Sequence, residues 1–351
     1  MPKTKQIECH RMLKKDFVLI GRIAIDFNPT DFYNTLENSD NFNKYIGGST
    51  ANTAIGLSRL GSKVGVFAMI SDDQFGRYVT NILNKENVDT TRLKIHPNYK
   101  LGLTFTEIKS ENESSILMYR NQASDLEIAS SDIDEEYIIN SKTLLVTGTS
   151  LSKSPSREAA LKAVKIARKN EIKIIFDIDF RNYTWQNEEE TNIYYQLVAE
   201  QSNIIIGSVQ EIELCSKWTI ENKSFETKEK RIDALAKHWL KSAEIVIAKD
   251  GKNGSILYTK DRKFLVRIVK IKMLKGYGGG DAYASYFLHY FTKENNIKKA
   301  LKYATAAASC MVNSHSSFDL PNVETLEKFI LENEKEPETL VIEKEWNAFT
   351  K

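Results

Sequence analysis

Glycine is scarce in this chain. Sixteen occur among 351 residues, fewer than the ~7 % usual in globular proteins. Four of the sixteen nevertheless fall between Gly276 and Gly280, so a chain sparing with glycine builds something there. Cysteine is scarcer still: Cys9, Cys215 and Cys310 are odd in number and far apart. That excludes a disulfide framework, and no Cys or His pair has zinc-ligand spacing. Free thiols point to a reducing cytoplasm. No stretch approaches the ~18 consecutive apolar residues of a membrane span. The basic residues near the start precede no apolar stretch of signal-peptide type. A soluble, cytoplasmic protein is expected. An excess of either charge is also missing, since 49 Lys and Arg face 47 Asp and Glu for a net charge of +2. Binding of a polyanion by bulk charge is thereby excluded, so neither nucleic acid nor a membrane is an expected partner; a local anion site stays open.

What is present is globular: 41 % hydrophobic and 27 % charged residues, enough for a sizeable core. Strand-like and helix-like runs alternate almost throughout, which predicts an α/β fold with a mostly parallel sheet covered by helices. Strands are expected at 17–25, 63–70, 143–146, 172–176, 204–206 and 244–248, and helices at 51–60, 73–85 and 155–168. The last helix reads with Ser154 as N-cap and Pro155 as its first residue. Two segments break the alternation. Residues 27–45 are polar and aromatic without helical period, and 101–108 with 115–120 read as a hairpin around the turn 109–114. Such strands would form a small sheet over a ligand cleft. Residues 1–16 read as an N-terminal extension, and 17–335 as the folded domain. The segment 336–351, charged and without sustained period, reads as a loose tail.

The strongest local feature is Gly276-Tyr277-Gly278-Gly279-Gly280-Asp281 ahead of an apolar helical run. Glycines at a helix mouth let the backbone approach a ligand closely, and the free N–H groups there face an anion. A carboxylate such as Asp281 beside bound phosphate is repelled by it, so its use there would be to accept a proton from an attacking hydroxyl. An ordinary glycine turn with a helix-start Asp is the alternative. The segment is not a Walker A loop, because no Gly-Lys-Ser/Thr follows the required spacer, and its place near the C-terminal end does not suit a dinucleotide fingerprint.

A second glycine segment, Gly47-Gly48-Ser49-Thr50-Ala51-Asn52, opens another helix. Asn52 carries both donor and acceptor, which suits sugar hydroxyls, or it simply faces solvent. Asp177-Ile178-Asp179-Phe180-Arg181 ends a buried strand, where ligands of open α/β sheets gather; a salt-bridged strand end is the plain reading. Tyr119-Arg120 adds a cation on the small-sheet hairpin. Glu211, after the strand at 204–206, either helps hold magnesium or is an exposed helix residue. Lys249 to Gly254 joins two strands and either flanks a nucleotide or is a hairpin turn.

In this order these segments resemble the PfkB/ribokinase family of carbohydrate kinases, from about residue 17 to about residue 326. The two glycine segments match that family's N-terminal Gly-Gly-x-x-x-Asn and C-terminal Gly-Ala-Gly-Asp patterns. Tyr119, Arg120 and Arg181 are similar in type to residues of its sugar-acid kinases. The resemblance implies a ribokinase-like three-layer α/β/α fold with a small β-sheet lid. It implies ATP-dependent phosphorylation of a primary hydroxyl on a sugar acid, with ATP and Mg2+ as the nucleotide and metal. Asp281 would be the base, and the backbone of Gly278, Gly279 and Gly280 the anion hole. Asp26, Gly47, Gly48 and Asn52 would hold substrate hydroxyls. Arg120 and Arg181 would meet the carboxylate, Arg181 instead or also contacting phosphate, with Tyr119 a further substrate contact. Asp179, Lys249, Gly251 and Gly254 would border the nucleotide, with Glu211 placing magnesium through water. Gly279 stands where Ala is usual and Ser208 where many members have Asn. The segment Leu274-Lys275-Gly276-Tyr277 lacks the Asp-Thr of a monovalent-cation site, so no potassium requirement is expected. An exposed lid edge offers pairing to a second subunit. Another sugar kinase of the family and a silent sugar-binding sensor are the rival readings; an intact Asp281 counts against the sensor.

Overall fold

A computed structural model describes residues 14–110, 113–216, 224–272, 274–314 and 319–349. Cys9 and the tip of the predicted hairpin turn lie outside them. A ten-stranded sheet forms the centre, in the order β14-β13-β12-β11-β10-β9-β8-β1-β4-β5. Its parallel part comprises β1 (Phe17–Ile20), β4 (Val64–Ser71), β5 (Leu93–His96), β8 (Thr143–Thr147), β9 (Lys173–Asp177), β10 (Ile204–Ser208) and β11 (Ile245–Lys249). The strands β12 (Ser255–Tyr258), β13 (Arg262–Val266) and β14 (Val341–Glu345) continue it antiparallel.

Alternation along the strands splits the core in two. Phe17 and Leu19 face one side while Val18 and Ile20 face the other; Ile204 and Ile206 likewise oppose Ile205. Both faces are apolar because both are covered, as a parallel sheet requires. The first face carries α1 (Ser49–Arg59), α2 (Gln74–Lys85), α8 (Gly279–Glu294), α9 (Ile297–Val312) and α10 (Val323–Asn333). The second carries α3 (Glu135–Ile139), α4 (Ser156–Lys169), α5 (Glu188–Ala199), α6 (Val209–Cys215) and α7 (Lys228–Trp239). This is the expected three-layer arrangement. No helix among the described residues is long and apolar enough to cross a membrane.

A separate four-stranded sheet has the order β3-β2-β6-β7, built from β2 (Ala24–Pro29), β3 (Phe42–Gly47), β6 (Gly102–Ser110) and β7 (Glu113–Tyr119). Three local expectations are corrected. The single first strand at 17–25 is two strands, one in each sheet. Gly21 makes the break, for a Cβ there would lie 2.0 Å from Thr147 Oγ1, and only the bare backbone passes so close to the end of β8. Ser154 does not cap α4. Pro155 holds the N-cap position, and the Ser154 hydroxyl donates instead to the Glu158 carboxylate at 2.8 Å.

The third correction concerns the charged C-terminus. Residues 341–345 form β14, paired with β13 from Arg262↔Glu345 to Val266↔Val341. Leu340 is fully buried, and Trp346 stacks edge-on against Tyr258. The segment reads as a tail because an edge strand is short and keeps its charges on purpose: Glu343 pairs with both Lys298 and Arg262. Deleting residues 336–351 uncovers the β13 edge and Leu340. It should lower the thermal unfolding midpoint by roughly 3–8 °C, measured by scanning fluorimetry of the full chain and the truncation.

Candidate active site

The chain runs outward from β1 through β4 to β5, then returns to β8 and runs outward the other way. Ligands of such sheets bind beyond the carboxyl ends of the strands near that reversal. There the residues following β1, β8, β9, β10 and β11 converge. A cavity of about 1220 Å³ opens at this place, with Asp177, Asp179, Glu211, Lys249 and Asp281 on its wall. Gly251, Gly254 and the three glycines 278–280 line it too, as does Arg181.

Asp281 sits in the first turn of α8. Gly278 is the N-cap, at φ +86°, a left-handed conformation that glycine adopts without strain. Gly279 packs closely on α9: a Cβ would lie 3.1 Å from Val312 Cγ1, tighter than an ordinary contact. The first-turn N–H groups of α8 have no intrahelical acceptor, and the glycines that carry them line the cavity. Lys249 brings its ammonium alongside, with Nζ 3.5 Å from where a Gly280 Cβ would be.

Asp281 is held from the other end of the chain. The Asn52 amide on α1 donates to Asp281 Oδ2 at 2.8 Å. This contact requires α1 and α8 to cross closely, and one turn further along each helix shows how they do. A Cβ on Gly56 would meet Ser285 Oγ at 2.5 Å, so only glycine lets the helices come together. Burial raises the pKa of Asp281, and the charge of Asp179 adds to the effect, against the Asn52 amide, Arg181 and Lys249. A carboxylate so placed is a stronger proton acceptor than an exposed one.

Asp179 behaves oppositely. Burial works against its charge, but Arg181, the Ser49 hydroxyl, Arg22 and Lys249 outweigh that and hold it below the usual range. Ser49 Oγ donates to it at 2.5 Å, and Arg181 Nη2 lies 2.7 Å away. Asp177 carries the net burden of the cluster. Burial and the neighbouring Asp179, Glu211 and Asp281 push its pKa up to about 7, although Lys249 stands 3.8 Å away.

Glu211 is neither exposed nor free. Its carboxylate accepts from the backbone N–H groups of Ser208 at 2.6 Å and Phe180 at 2.8 Å, while Ser208 caps α6 in return. Among the described residues no group of three or more His, Cys, Asp or Glu gathers to hold a metal. This donor set suits an ion that keeps its waters and rides on phosphate oxygens, as magnesium does. Gly251 and Gly254 have φ of +53° and +90° and shape the tight turn from β11 to β12.

Behind Asp281 lies a second group. The Asp26 carboxylate covers Gly47, where a Cβ would come within 2.1 Å of it, and Gly48 abuts the Arg22 carbonyl. Burial raises the pKa of Asp26, opposed by Arg22, the Thr104 hydroxyl, Arg181 and Lys275. Asp26 Oδ1 and Asn52 Oδ1 are both buried with no hydrogen-bond partner. Such atoms are costly unless something supplies donors.

Two expected residues are not brought here. Arg120 is 5 % exposed, and its guanidinium is spent on Asp125, the Ser152 hydroxyl and the Thr149 carbonyl. It pairs with a carboxylate five residues away instead of facing the cavity. Tyr119 is 60 % exposed and lies edge-on to Phe105. Sequence reasoning in turn passed over Ser49 and Arg22. A charged residue directly after a glycine at the end of a buried strand was the available signal for Arg22.

A model of the pfkB family carbohydrate kinases matches residues 14–323. A 5-dehydro-2-deoxygluconokinase of Mesomycoplasma hyopneumoniae is 56 % identical over 338 residues, 96 % of this chain and 98 % of that protein. One of the same name from Clostridium botulinum is 48 % identical over 327 residues, 92 % and 95 % of the two chains. Among solved structures, a putative ribokinase II of E. coli in complex with ATP and Mg2+ superposes with a TM-score of 0.80 at 21 % identity, over 91 % of this chain and 99 % of that one. A fructokinase of Xylella fastidiosa with bound ATP gives 0.76 at 19 % identity, over 91 % and 99 %. Glycine-opened helices, a carboxylate held between them and relatives of this identity agree: the chain belongs to the pfkB family of carbohydrate kinases.

Proposed function

We propose that this protein is a 5-dehydro-2-deoxygluconokinase. It would transfer the terminal phosphoryl group of ATP to the primary hydroxyl of 5-dehydro-2-deoxy-D-gluconate, giving the 6-phosphate, in the cytoplasm and as a step of bacterial myo-inositol catabolism. Relatives of that name, 46–56 % identical over almost the whole chain, support the substrate. The observation that carries the chemistry is Asp281, half-buried on the cavity wall, raised in pKa and fixed by Asn52 at the glycine-lined mouth of a helix.

In this reading Asp281 takes the proton of the attacking hydroxyl, a contribution of about 10²–10⁴-fold. The glycine turn Gly278–Gly280 presents backbone N–H groups to the charge that develops on the transferring phosphoryl group. Lys249, beside Gly280, adds a cation there. Arg181, paired with Asp179 on the cavity wall, adds a further positive charge beside the nucleotide site. Gly251 and Gly254 leave room for the nucleotide in the 1220 Å³ cavity. Magnesium would neutralise charge on the phosphate oxygens, held through water by Glu211. Asp26, Gly47, Gly48 and Asn52 take the sugar hydroxyls, the unpartnered oxygens of Asp26 and Asn52 accepting from them. The exposed outer strand β7, with Ile116, Leu117 and Tyr119 on it, offers an edge for a second copy of the chain.

Two measurements check this. Coupled ADP release with ATP and magnesium, run over a panel of sugars and sugar acids, should give the highest kcat/KM on 5-dehydro-2-deoxy-D-gluconate. A higher value on ribose or fructose would remove the proposed substrate, and no turnover on any would remove the kinase. Asp281→Asn should lower kcat by about 10²–10⁴-fold with ATP affinity by calorimetry nearly unchanged. Because the folded carboxyl is raised, wild-type kcat/KM should fall as pH drops, with a midpoint above the ordinary aspartate value. Wild-type turnover in the variant would exclude Asp281 as base.

A further inference from the structure

Arg120, Arg181 and Arg22 all stand near the site, and the structure commits the first two. Arg120 spends four of its five N–H groups on Asp125, Ser152 and Thr149. Arg181 is paired with Asp179 and its own chain's Phe180 carbonyl. Arg22 differs. It sits in the turn between β1 and β2, at the carboxyl end of β1, and is 5 % exposed. Its Nε is buried with no hydrogen-bond partner. Nη1 reaches only Thr104 Oγ1, at a long 3.4 Å, and among the described residues Arg22 forms no ion pair. A buried donor left unmatched is destabilising, the more so on a charged group, so its retention calls for a ligand.

Its surroundings say which kind. The Arg22 charge acts on Asp26, Asp179 and the Tyr183 hydroxyl, opposing the rise that burial causes in Asp26 and Tyr183 and helping to hold Asp179 below the usual range. Its backbone is pinned, since the Arg22 carbonyl lies 2.4 Å from where a Gly48 Cβ would be. Among the described residues, the buried atoms without a hydrogen-bond partner include the Arg22 Nε–H and two acceptors, Asp26 Oδ1 and Asn52 Oδ1. That set is complementary to a polyol bearing an anionic group: hydroxyls for the acceptors, a carboxylate for the guanidinium. Asn52 also fixes the base, which ties the hydroxyl end of such a ligand to Asp281.

We infer that Arg22 binds the carboxylate of the sugar-acid substrate and sets the preference for an acid over a neutral sugar. This rests on the reading of the protein as a sugar-acid kinase. Arg22, and not Arg120, is then the residue that distinguishes charged from uncharged substrates.

The test compares 5-dehydro-2-deoxy-D-gluconate with its carboxamide, which keeps chain length and hydroxyls but loses the charge. Arg22→Met should lower kcat/KM on the acid by at least about 30-fold, the equivalent of about 2 kcal/mol, mainly through KM. The carboxamide should lose far less, so the acid-to-amide ratio collapses. Arg22→Lys should fall between, because an ammonium keeps the charge without the planar fork; it carries the test alone if the Met variant does not fold, as judged by circular dichroism and ATP affinity. Parallel losses on acid and amide would make Arg22 a structural counter-charge and overturn the inference while the kinase reading stands. A wild-type enzyme that prefers the amide or a neutral sugar would overturn both.

Discussion

The hydrogen bond from Asn52 to Asp281 joins residues 229 positions apart, and much of the site follows from what it requires. Both side chains project from first turns of helices, so α1 and α8 must both begin at the same spot beside the sheet. Each helix is entered through glycine: Gly48 at φ +90° and Gly278 at φ +86°. Both helices must also pack closer than ordinary side chains permit, which Gly56 against Ser285 provides. The glycines that a sparing sequence concentrates are therefore largely the ones that bring two helix N-termini together, with that of α8 on the cavity wall.

Around that contact the charges are unequal by design of position. Four carboxylates, Asp177, Asp179, Glu211 and Asp281, surround Lys249 and Arg181. Each is treated differently. Asp179 has Arg181 and Ser49 and stays ionised with ease; Glu211 has two backbone N–H donors; Asp281 has the Asn52 amide and is raised; Asp177 has, among the described residues, Lys249 at 3.8 Å and is raised to about 7. Environment, not residue type, separates a counter-ion from a base. The same logic distinguishes the arginines: Arg120 and Arg181 hold carboxylates in close ion pairs, and among the described residues Arg22 forms none.

The small sheet is tied to the glycine turn as well as to the main sheet. The Tyr277 and Thr106 hydroxyls lie 3.0 Å apart, and Thr106 also donates to Asn28. Gly276 leaves space for Ser114 on β7, whose Oγ would lie 2.7 Å from a Cβ. The loop that positions the helix mouth is thus held by strands of the small sheet, a direct mechanical link between that sheet and the glycine turn.

Much of this was legible in the residues. Alternation of apolar strands with amphipathic helices was enough for the layered α/β fold, since period and burial are local properties. The two glycine segments and Asp281 were legible for the same reason: left-handed turns and helix starts are written in neighbouring residues. Residues 341–345 were not legible as a strand, because an edge strand is defined by the partner it finds and not by its own period. Nor was the fate of the arginines. Arg120 resembles a substrate contact in sequence, yet its backbone turn brings Asp125 within 2.6 Å and its charge is consumed. Arg22 looks like a mere strand end, yet it is buried with an N–H unmet. Sequence determined which groups are available; only the tertiary structure decided which of them are already paired, because pairing depends on distances between segments that are remote along the chain.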